Sequence, residues 1–405
     1  MSPAPAPAAP PGFGPIRLLV IQPTSLCNLD CSYCYLPDRG RRLLLDPALI
    51  RPILQRVFES PFLGDGFTLL WHAGEPLTRP PSFYDAANAE LRSFLAGQPQ
   101  LRVDQAVQTN GTLINDAWCA CFLRHGIDVG VSVDGPAFLH DRVRRNRAGR
   151  GSHAQTMRGI ACLQQAGVPL SVITVLTRDS LHHADALVDF YLEHGITEVG
   201  FNMEETEGVN ACSSLDRPGT ETLYRSFLER LWDRVAGSGG ALRIREFETF
   251  YSFIRSGSRI DHTDLNRPMA IVSVDHSGRF STFDPELLSV ETRYGCFNLG
   301  HVCRDSLLEA CGSAKFQRIW HDMRAGIEAC RASCAYFGIC GGGAGSNKYW
   351  ETGSLDATET MACRYRIQHV ADVAMARLER DLQLPAIAPR LRGTDSVALQ
   401  PRQSP

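Results

Sequence analysis

No apolar run in this 405-residue chain reaches the roughly 20 residues needed to cross a bilayer, so a membrane-spanning helix is not expected. The start of the chain, Met1 to Gly14, is rich in proline and alanine and lacks both a basic opening and an apolar core. That composition excludes a secretory signal and reads as a disordered leader. Charge of one sign is also lacking: the formal net charge is −3, which gives no electrostatic case for a polyanionic partner. There is no Walker loop, and the basic run Arg142 to Arg147 has none of the interleaved aromatics of a nucleic-acid platform. The expectation is a cytoplasmic protein with neither a nucleic-acid nor a membrane partner.

Cysteine, by contrast, is abundant, with 14 residues concentrated in two regions. In a chain too long to be a small disulfide scaffold, clustered thiols point to metal or redox use in a reducing compartment. The first cluster is Cys27-Asn28-Leu29-Asp30-Cys31-Ser32-Tyr33-Cys34. A four-iron cluster has four corners, and electron-transfer ferredoxins close all of them with thiolates. Three ligands in so short a run leave one iron open to an exchangeable group. The alternatives are a zinc site, which favours paired Cys-x-x-Cys units and a fourth ligand, or reduced thiols without a role.

Between Ile16 and Met203 short apolar strand patterns alternate with amphipathic helical ones. Strands are expected at Ile16–Thr24, Phe67–Ala73, Asp104–Thr109, Asp128–Asp134, Leu170–Thr177 and Glu198–Met203. Alternation of this kind predicts an α/β fold with a parallel sheet. Six units are too few for a closed eightfold barrel, so a partial (β/α)6 TIM-like barrel is expected, with a doubly wound open sheet as the alternative. The polar residues of interest follow the strands, where ligand sites of such sheets gather. Cys27, Cys31 and Cys34 follow the first, Gly74-Glu75-Pro76 the second, and Ser132-Val133-Asp134-Gly135-Pro136 the fourth. Glu75 offers a carboxylate suited to an ammonium group, and Gly74 permits a close backbone approach. Taken alone, Gly-Glu-Pro is an ordinary turn and Arg142 to Arg147 an ordinary solvated charged face.

Beyond residue 270 the composition changes. Ala270–Val274, a turn at Asp275–Gly278 and Arg279–Phe283 predict a β-hairpin that opens a second module. Downstream, Cys330-x3-Cys334-x5-Cys340 is followed by Gly341–Gly343 and then Cys363, the compact spacing of a cluster-binding loop, with a zinc knuckle as the alternative. Cys296, Cys303 and Cys311 read either as ligands of a second cluster or as small buried hydrophobes. Asp284, before Pro285, has the bland reading of a turn residue.

Together, the three-cysteine motif with an aromatic before its last cysteine, Gly-Glu-Pro after strand two and Ser-Val-Asp-Gly-Pro after strand four resemble the radical S-adenosylmethionine superfamily. The resemblance implies that Cys27, Cys31 and Cys34 hold a [4Fe-4S] cluster whose open iron is chelated by S-adenosylmethionine. It implies Tyr33 beside the adenine, Gly74 and Glu75 at the amino group, and Ser132 and Arg144 at the ribose and carboxylate. Ala73 stands where glycine is usual. Reductive cleavage of the sulfonium would then yield a 5′-deoxyadenosyl radical that abstracts hydrogen from carbon. The C-terminal region is similar to the SPASM domain of peptide and protein maturases, which implies that Cys330, Cys334, Cys340 and Cys363 hold one auxiliary [4Fe-4S] cluster. Ala344 occupies a position that is cysteine in the fuller pattern, so one complete auxiliary cluster is expected, with Cys296, Cys303 and Cys311 as candidates for a second. Asp284 resembles the aspartate of anaerobic sulfatase maturases that takes a proton near the substrate.

Phe283 to Leu288 and Cys340 to Glu351 further resemble maturases of ribosomally made peptides that form cyclophanes. The expectation is a peptide-modifying oxidoreductase that takes a precursor peptide, with a flavodoxin or ferredoxin as electron donor. Formylglycine formation, as in anaerobic sulfatase maturation, and a non-catalytic iron–sulfur sensor or carrier are the alternatives. The expected organisation is a leader over 1–15, the barrel over 16–240, a linker over 241–269, the auxiliary-cluster domain over 270–375 and a tail over 376–405.

Overall fold

Apolar alternation along short strands and one-sided helices between them have one economical solution, a buried parallel sheet covered by crossover helices. The computed structural model describes residues 8–383 and takes that form. In chain order the elements of the first half are β1 (Leu18–Ile21), α1 (Ile50–Phe58), β2 (Gly66–Trp71), α2 (Pro81–Leu95), β3 (Arg102–Thr109), α3 (Asp116–His125), β4 (Ile127–Ser132), α4 (Ala137–Val143), α5 (His153–Gln165), β5 (Leu170–Leu176), α6 (Ala184–Glu193) and β6 (Glu198–Met203). All six expected strands form. The second half contains α7 (Thr220–Gly237), β7 (Arg243–Ile244), α8 (Arg245–Ser256), β8 (Ile271–Val274), β9 (Arg279–Thr282), β10 (Glu291–Thr292), β11 (Gly295–Cys296) and β12 (Gly300–His301). It closes with α9 (Leu307–Gly312), α10 (Ala314–Ser333), α11 (Phe337–Cys340), α12 (Gly345–Thr352), α13 (Met361–Cys363) and α14 (His369–Asp381).

Strands β1 to β7 lie in sequential order, and each pairs in parallel with the next. A doubly wound sheet would reverse its order near the middle, so that alternative is excluded. The C-terminal ends of β1 through β6, or the loops directly after them, all border one cavity, with Cys27, Glu75, Asn110, Ser132, Val175 and Glu204 among its lining residues. Six successive strand ends can surround one space only if the sheet curls, which is the expected partial barrel.

Local sequence explains the helical cover. In α1 the apolar residues Ile50, Ile53, Leu54 and Val57 share one face and are at most 3% exposed. Burial of each such side chain contributes about 1.5–3 kcal/mol as an upper bound. Asn115 caps α3, its side chain accepting from the Trp118 amide at 3.1 Å, and Gly126 ends the helix with φ 60°. Trp71, on β2, meets Phe83 and Tyr84 edge-on at 5.7 and 5.2 Å, and Tyr84 continues to Trp118 at 5.3 Å. These rings join the sheet to α2 and α3.

The hairpin forms as expected. Asp275 Oδ1 closes its turn by accepting from the Ser277 and Arg279 amides at 2.8 and 3.0 Å. It does not stand apart from the barrel, however. Strand β8 pairs in parallel with β1, in the register Leu18↔Ile271, so a single ten-stranded sheet runs from β12 to β7. Likewise β7, within the segment read as a linker, pairs with β6. Pairing of residues some 250 positions apart leaves no local signature, which is why composition suggested a boundary there.

Of the leader, residues 1–7 lie outside the described residues, whereas Phe13 packs against Phe316 and Trp320 at ring distances of 5.7 and 5.8 Å. Phe283 stacks on the same two rings at 6.3 and 6.2 Å. The tail begins inside α14, and residues 384–405 lie outside the described residues. No helix among the described residues is long and apolar enough to cross a membrane. Phe13→Ala removes a half-buried ring from this aromatic cluster and should lower stability by about 2 kcal/mol in chemical denaturation.

Candidate active site

The segment after β1 is a long loop held from both sides. On one side it pairs with its own return limb, the Ser25 amide donating to Leu43 O and the Cys27 amide to Arg39 O, both at 2.9 Å. On the other the Asp30 and Ser32 amides donate to Arg145 O and Val143 O at 2.7 and 2.9 Å. The basic run is therefore structural as well as charged, and Arg147 adds a hydrogen bond to Cys27 O at 3.1 Å. Its alternative reading as a merely solvated face holds for Arg142 and Arg145 but not for Arg144.

Cys27, Cys31, Tyr33, Cys34, Gly74, Glu75, Ser132 and Arg144 all line the same cavity, of about 360 Å3. These eight residues come from four segments of the chain. Arg144 is 7% exposed and forms a buried ion pair with Asp134, Nε to Oδ2 at 2.8 Å and Nη2 to Oδ1 at 3.1 Å. Asp134 also accepts from the Tyr33 hydroxyl at 2.6 Å and the Val175 amide at 2.9 Å. Burial alone would lower the Arg144 pKa, but the adjacent Asp134 carries it well above the ordinary value. The guanidinium sits 5.4 Å from the Tyr33 ring centre. Ser132 Oγ accepts from Gln108 Nε2 at 2.8 Å.

Glu75 is 1% exposed. Its Oε1 accepts from the Leu77 amide at 3.0 Å and Thr109 Oγ1 at 2.6 Å, and its Oε2 from the Asn110 amide at 2.8 Å. Burial raises its pKa, and the three hydrogen bonds oppose that shift. A carboxylate offers about four lone-pair sites, so one remains for a ligand N–H. A Cβ on Gly74 would lie 2.5 Å from Thr24 O and 2.8 Å from Leu26 O, so only glycine lets this turn touch the cysteine loop. Ala73 holds φ 71°, a left-handed conformation that costs a non-glycine residue about 1–2 kcal/mol, at the position where glycine is usual.

The second cysteine set also converges. Cys330 lies in the last turn of α10, Cys340 ends α11, Cys363 ends α13, and these three with Cys334 line a cavity of about 1300 Å3. Asn266 Nδ2 donates to Gly341 O at 2.8 Å and Gly343 O at 3.0 Å, fixing the glycine turn. Lys348, one of two lysines in the chain, is 3% exposed with Nζ 3.6 Å from Cys330 Sγ. Cys296, Cys303 and Cys311 border neither cavity; Cys303 is exposed, and Cys311 is buried with its thiol donating to Leu307 O at 3.3 Å.

Both donor sets suit an iron–sulfur group. Every one of these cysteines is a free thiol. Burial, with Glu75 adding to it, pushes Cys27 up to about 12, and burial pushes Cys31 and Cys340 up to about 11. Thiols gathered in apolar pockets ionise only if a cation compensates them, which is what a cluster provides. A buried ammonium beside Cys330 likewise suits a site of net negative charge.

Asp284 is 1% exposed and does not border the cavity; its Oδ2 accepts from the Ser346 amide at 2.7 Å. Burial, with Glu286 adding to it, raises its pKa to about 8. Between Asp284 and the cavity stand Glu286, Glu205, Glu207 and Arg366, none of them singled out in the sequence. Glu204 to Glu207 follow β6 directly and Asn110 follows β3, so the rule that strand ends carry the site could have found them.

A curled parallel sheet with three thiols at the mouth of its strand ends defines a class, and the comparisons with known proteins agree. A sequence model described as the radical SAM superfamily matches residues 21–191. The chain belongs to that superfamily and is an enzyme that uses a [4Fe-4S] cluster and S-adenosylmethionine. It is 54% identical over 375 residues to an uncharacterized protein of Synechocystis sp., covering 92% of this chain and 94% of the other. The serine-type anaerobic sulfatase-maturating enzyme of Bacteroides thetaiotaomicron is 32% identical over 183 residues, which span 44% of this chain and 42% of that enzyme. Among solved structures, anSMEcpe with bound AdoMet gives a TM-score of 0.74 at 20% identity over 92% of this chain and 96% of that one. Streptococcus suis SuiB bound to precursor peptide SuiA gives 0.58 at 16% identity over 86% and 76%. At these identities the structural likeness carries the fold.

Asp134→Asn should cost about 3–5 kcal/mol in equilibrium denaturation, because it leaves the Arg144 charge buried and unpaired. Asp134→Asn combined with Arg144→Met should recover part of that loss. Equal midpoints for wild type and Asp134→Asn would contradict the role given to this pair.

Proposed function

We propose that this enzyme modifies a peptide by joining an aromatic ring to a neighbouring side-chain carbon, forming a carbon–carbon cyclophane. The observation that carries the reading is the joint presence of two cysteine-lined cavities with a carboxyl-rich wall on the first. We assign the bound groups as follows. Cys27, Cys31 and Cys34 would hold the cluster with the open iron, Gly74 and Glu75 would receive the amino group of S-adenosylmethionine, and Tyr33, Ser132 and Arg144 would contact its adenosyl and carboxylate parts. Cys330, Cys334, Cys340 and Cys363 would hold an auxiliary cluster in a SPASM-like domain. When bound, these groups would supply one-electron chemistry, removal of a hydrogen atom from carbon at the first site and acceptance, at the auxiliary cluster, of the electron released as the ring rearomatises.

The chain's own residues provide the rest. The apolar side chains Leu29, Leu36, Leu70, Ile173 and Met203 line the cavity and keep water from the reacting atoms. Arg144, held rigid by Asp134, orients a carboxylate. The ring proton released on cross-linking passes to the carboxyl wall, and we assign its final acceptance to Asp284, which lies behind that wall. Formylglycine formation is the second reading, favoured by the relatives named as sulfatase-maturating enzymes.

Reconstituted enzyme given a precursor-type peptide should lower its mass by about two hydrogens, as one C–C bond replaces two X–H bonds. A sulfatase-derived peptide converted to an aldehyde would instead establish the second reading, and a peptide of unchanged mass in both cases would refute both. The loaded protein should hold about eight irons, and Ala at Cys330, Cys334, Cys340 and Cys363 should reduce this to about four.

Because Asp284 ionises near pH 8, a base at this position is inactive while protonated. Turnover should fall as the pH drops below about 8. Asp284→Asn should lower turnover on the order of 100-fold and abolish that limb of the profile. The same raised pKa makes the folded state hold a proton that the unfolded chain releases. Stability should therefore fall as pH rises from the ordinary carboxylate range through about 8, an effect that Asp284→Asn reduces and does not abolish, because burial raises Glu75, Glu207 and Glu286 as well.

A further inference from the structure

One wall of the active-site cavity carries more carboxyl than cation. Glu205, Glu207 and Glu286 line it, with Arg366 among them and Asp284 behind. Glu205 is satisfied, Oε2 accepting from Asn347 Nδ2 at 2.9 Å and Oε1 from Arg366 Nη1 at 3.3 Å. Glu207 is only partly so: it is 6% exposed, the Ser346 side chain hydrogen-bonds to its carboxyl, and its Oε1 has no hydrogen-bond partner among the described residues. The backbone holds it in place. Its amide donates to Asn210 O at 2.9 Å, and the Val209 amide donates to Tyr35 O at 3.1 Å, next to Cys34.

A buried carboxyl oxygen without a donor costs about 1–3 kcal/mol. Such a group calls for an explanation, and a ligand that supplies the donor is one. An anionic ligand would be repelled by this wall. A neutral hydrogen-bond donor would satisfy Oε1 but leave the carboxyls crowding one another. Crowding is pronounced, because burial and then Glu286, Glu205 and Asp284 drive the Glu207 pKa well up. Burial likewise raises Glu286. Arg366, Tyr35, Glu204, Glu246 and Glu351 are further ionisable groups around these carboxyls. Only a cation with N–H donors meets both demands.

We propose that Glu207, flanked by Glu205 and Glu286, receives a cationic side chain of the peptide, a guanidinium or ammonium group close in sequence to the residue that is modified. The assignment rests on the reading of the substrate as a peptide. It adds a recognition element to that reading: the cation anchors the peptide at the cavity wall, and its arrival expels a proton from the carboxyl cluster that includes Asp284.

The test uses the full chain, reconstituted with iron and sulfide and saturated with S-adenosylmethionine. Acetylated, amidated peptides of sequence Gly-Gly-Phe-Gly-Xaa-Gly, with Xaa as arginine, lysine, citrulline or norleucine, are titrated calorimetrically in buffers of different ionisation enthalpy. The arginine or lysine peptide should bind about tenfold or more tightly than the two uncharged ones and release a proton on binding. The ranking of arginine against lysine identifies the cation. Glu207→Gln should remove the preference while leaving the affinity for S-adenosylmethionine unchanged, which shows that the variant is folded. Equal affinities for arginine and citrulline peptides, no binding by any of the four, or a preference that survives in Glu207→Gln would each overturn the proposal. Failure of the cyclophane reading looks different: the cation preference persists while peptide mass stays constant.

Discussion

The buried carboxylate of Asp134 joins more of this molecule than any other single group. It receives the Tyr33 hydroxyl from the cysteine loop, two guanidinium N–H groups of Arg144 from the basic run and the Val175 amide from β5. Three chain segments that bracket the cavity thereby share one acceptor. An ion pair removed from water to this extent stabilises only if its hydrogen bonds are well made, and on Asp134 four donors fill the carboxylate, while Arg144 keeps N–H groups for the cavity. The cysteine loop has no regular secondary structure to hold its three thiols, so its geometry depends on this carboxylate, on the strand-like pairing with Arg39 to Leu45 and on the close approach of Gly74.

The cavity has two chemically opposed walls. One, made by the ends of β1 to β4, is built of thiols, a carboxylate with one acceptor site still open and a guanidinium, and suits a zwitterionic cofactor beside a metal cluster. The other, made by the segment after β6, the segment after β9 and Arg366, is dense in protonatable carboxyls. The cross-linking proposed above would use this proximity, a hydrogen atom leaving on one side and a proton on the other. The apolar residues between them keep the dielectric low, which both raises the carboxyl pKa values and strengthens any charged contact made there.

The hairpin is what brings these walls together. Strand β8 continues the barrel sheet beside β1 and β9 runs back antiparallel to it, and the segment that follows brings Glu286 to the cavity with Asp284 behind it. The aromatic cluster of Phe13, Phe283, Phe316 and Trp320 then fixes the hairpin against α10, which carries Cys330 at its far end. Packing at this junction thus couples the two cysteine sites through contiguous rigid elements.

Much of this was legible in the residues themselves. Period-two apolar runs predicted six parallel strands, and the spacing of Cys27, Cys31 and Cys34 predicted an open iron, because strand periodicity and thiol spacing are local properties of a chain. The convergence of Tyr33, Glu75, Ser132 and Arg144 followed from a resemblance to known enzymes, and their shared cavity is now visible. What the sequence could not display were relationships between distant segments: the parallel pairing of β8 with β1, the role of Asp134 as common acceptor, the ammonium of Lys348 against Cys330, and the position of Asp284 behind rather than in the cavity wall. Strand and thiol chemistry are set by neighbours along the chain. Which strand adjoins which, and which charges are forced to share one buried space, are settled only when the sheet curls and the hairpin docks, since long-range pairing and desolvation depend on the whole fold.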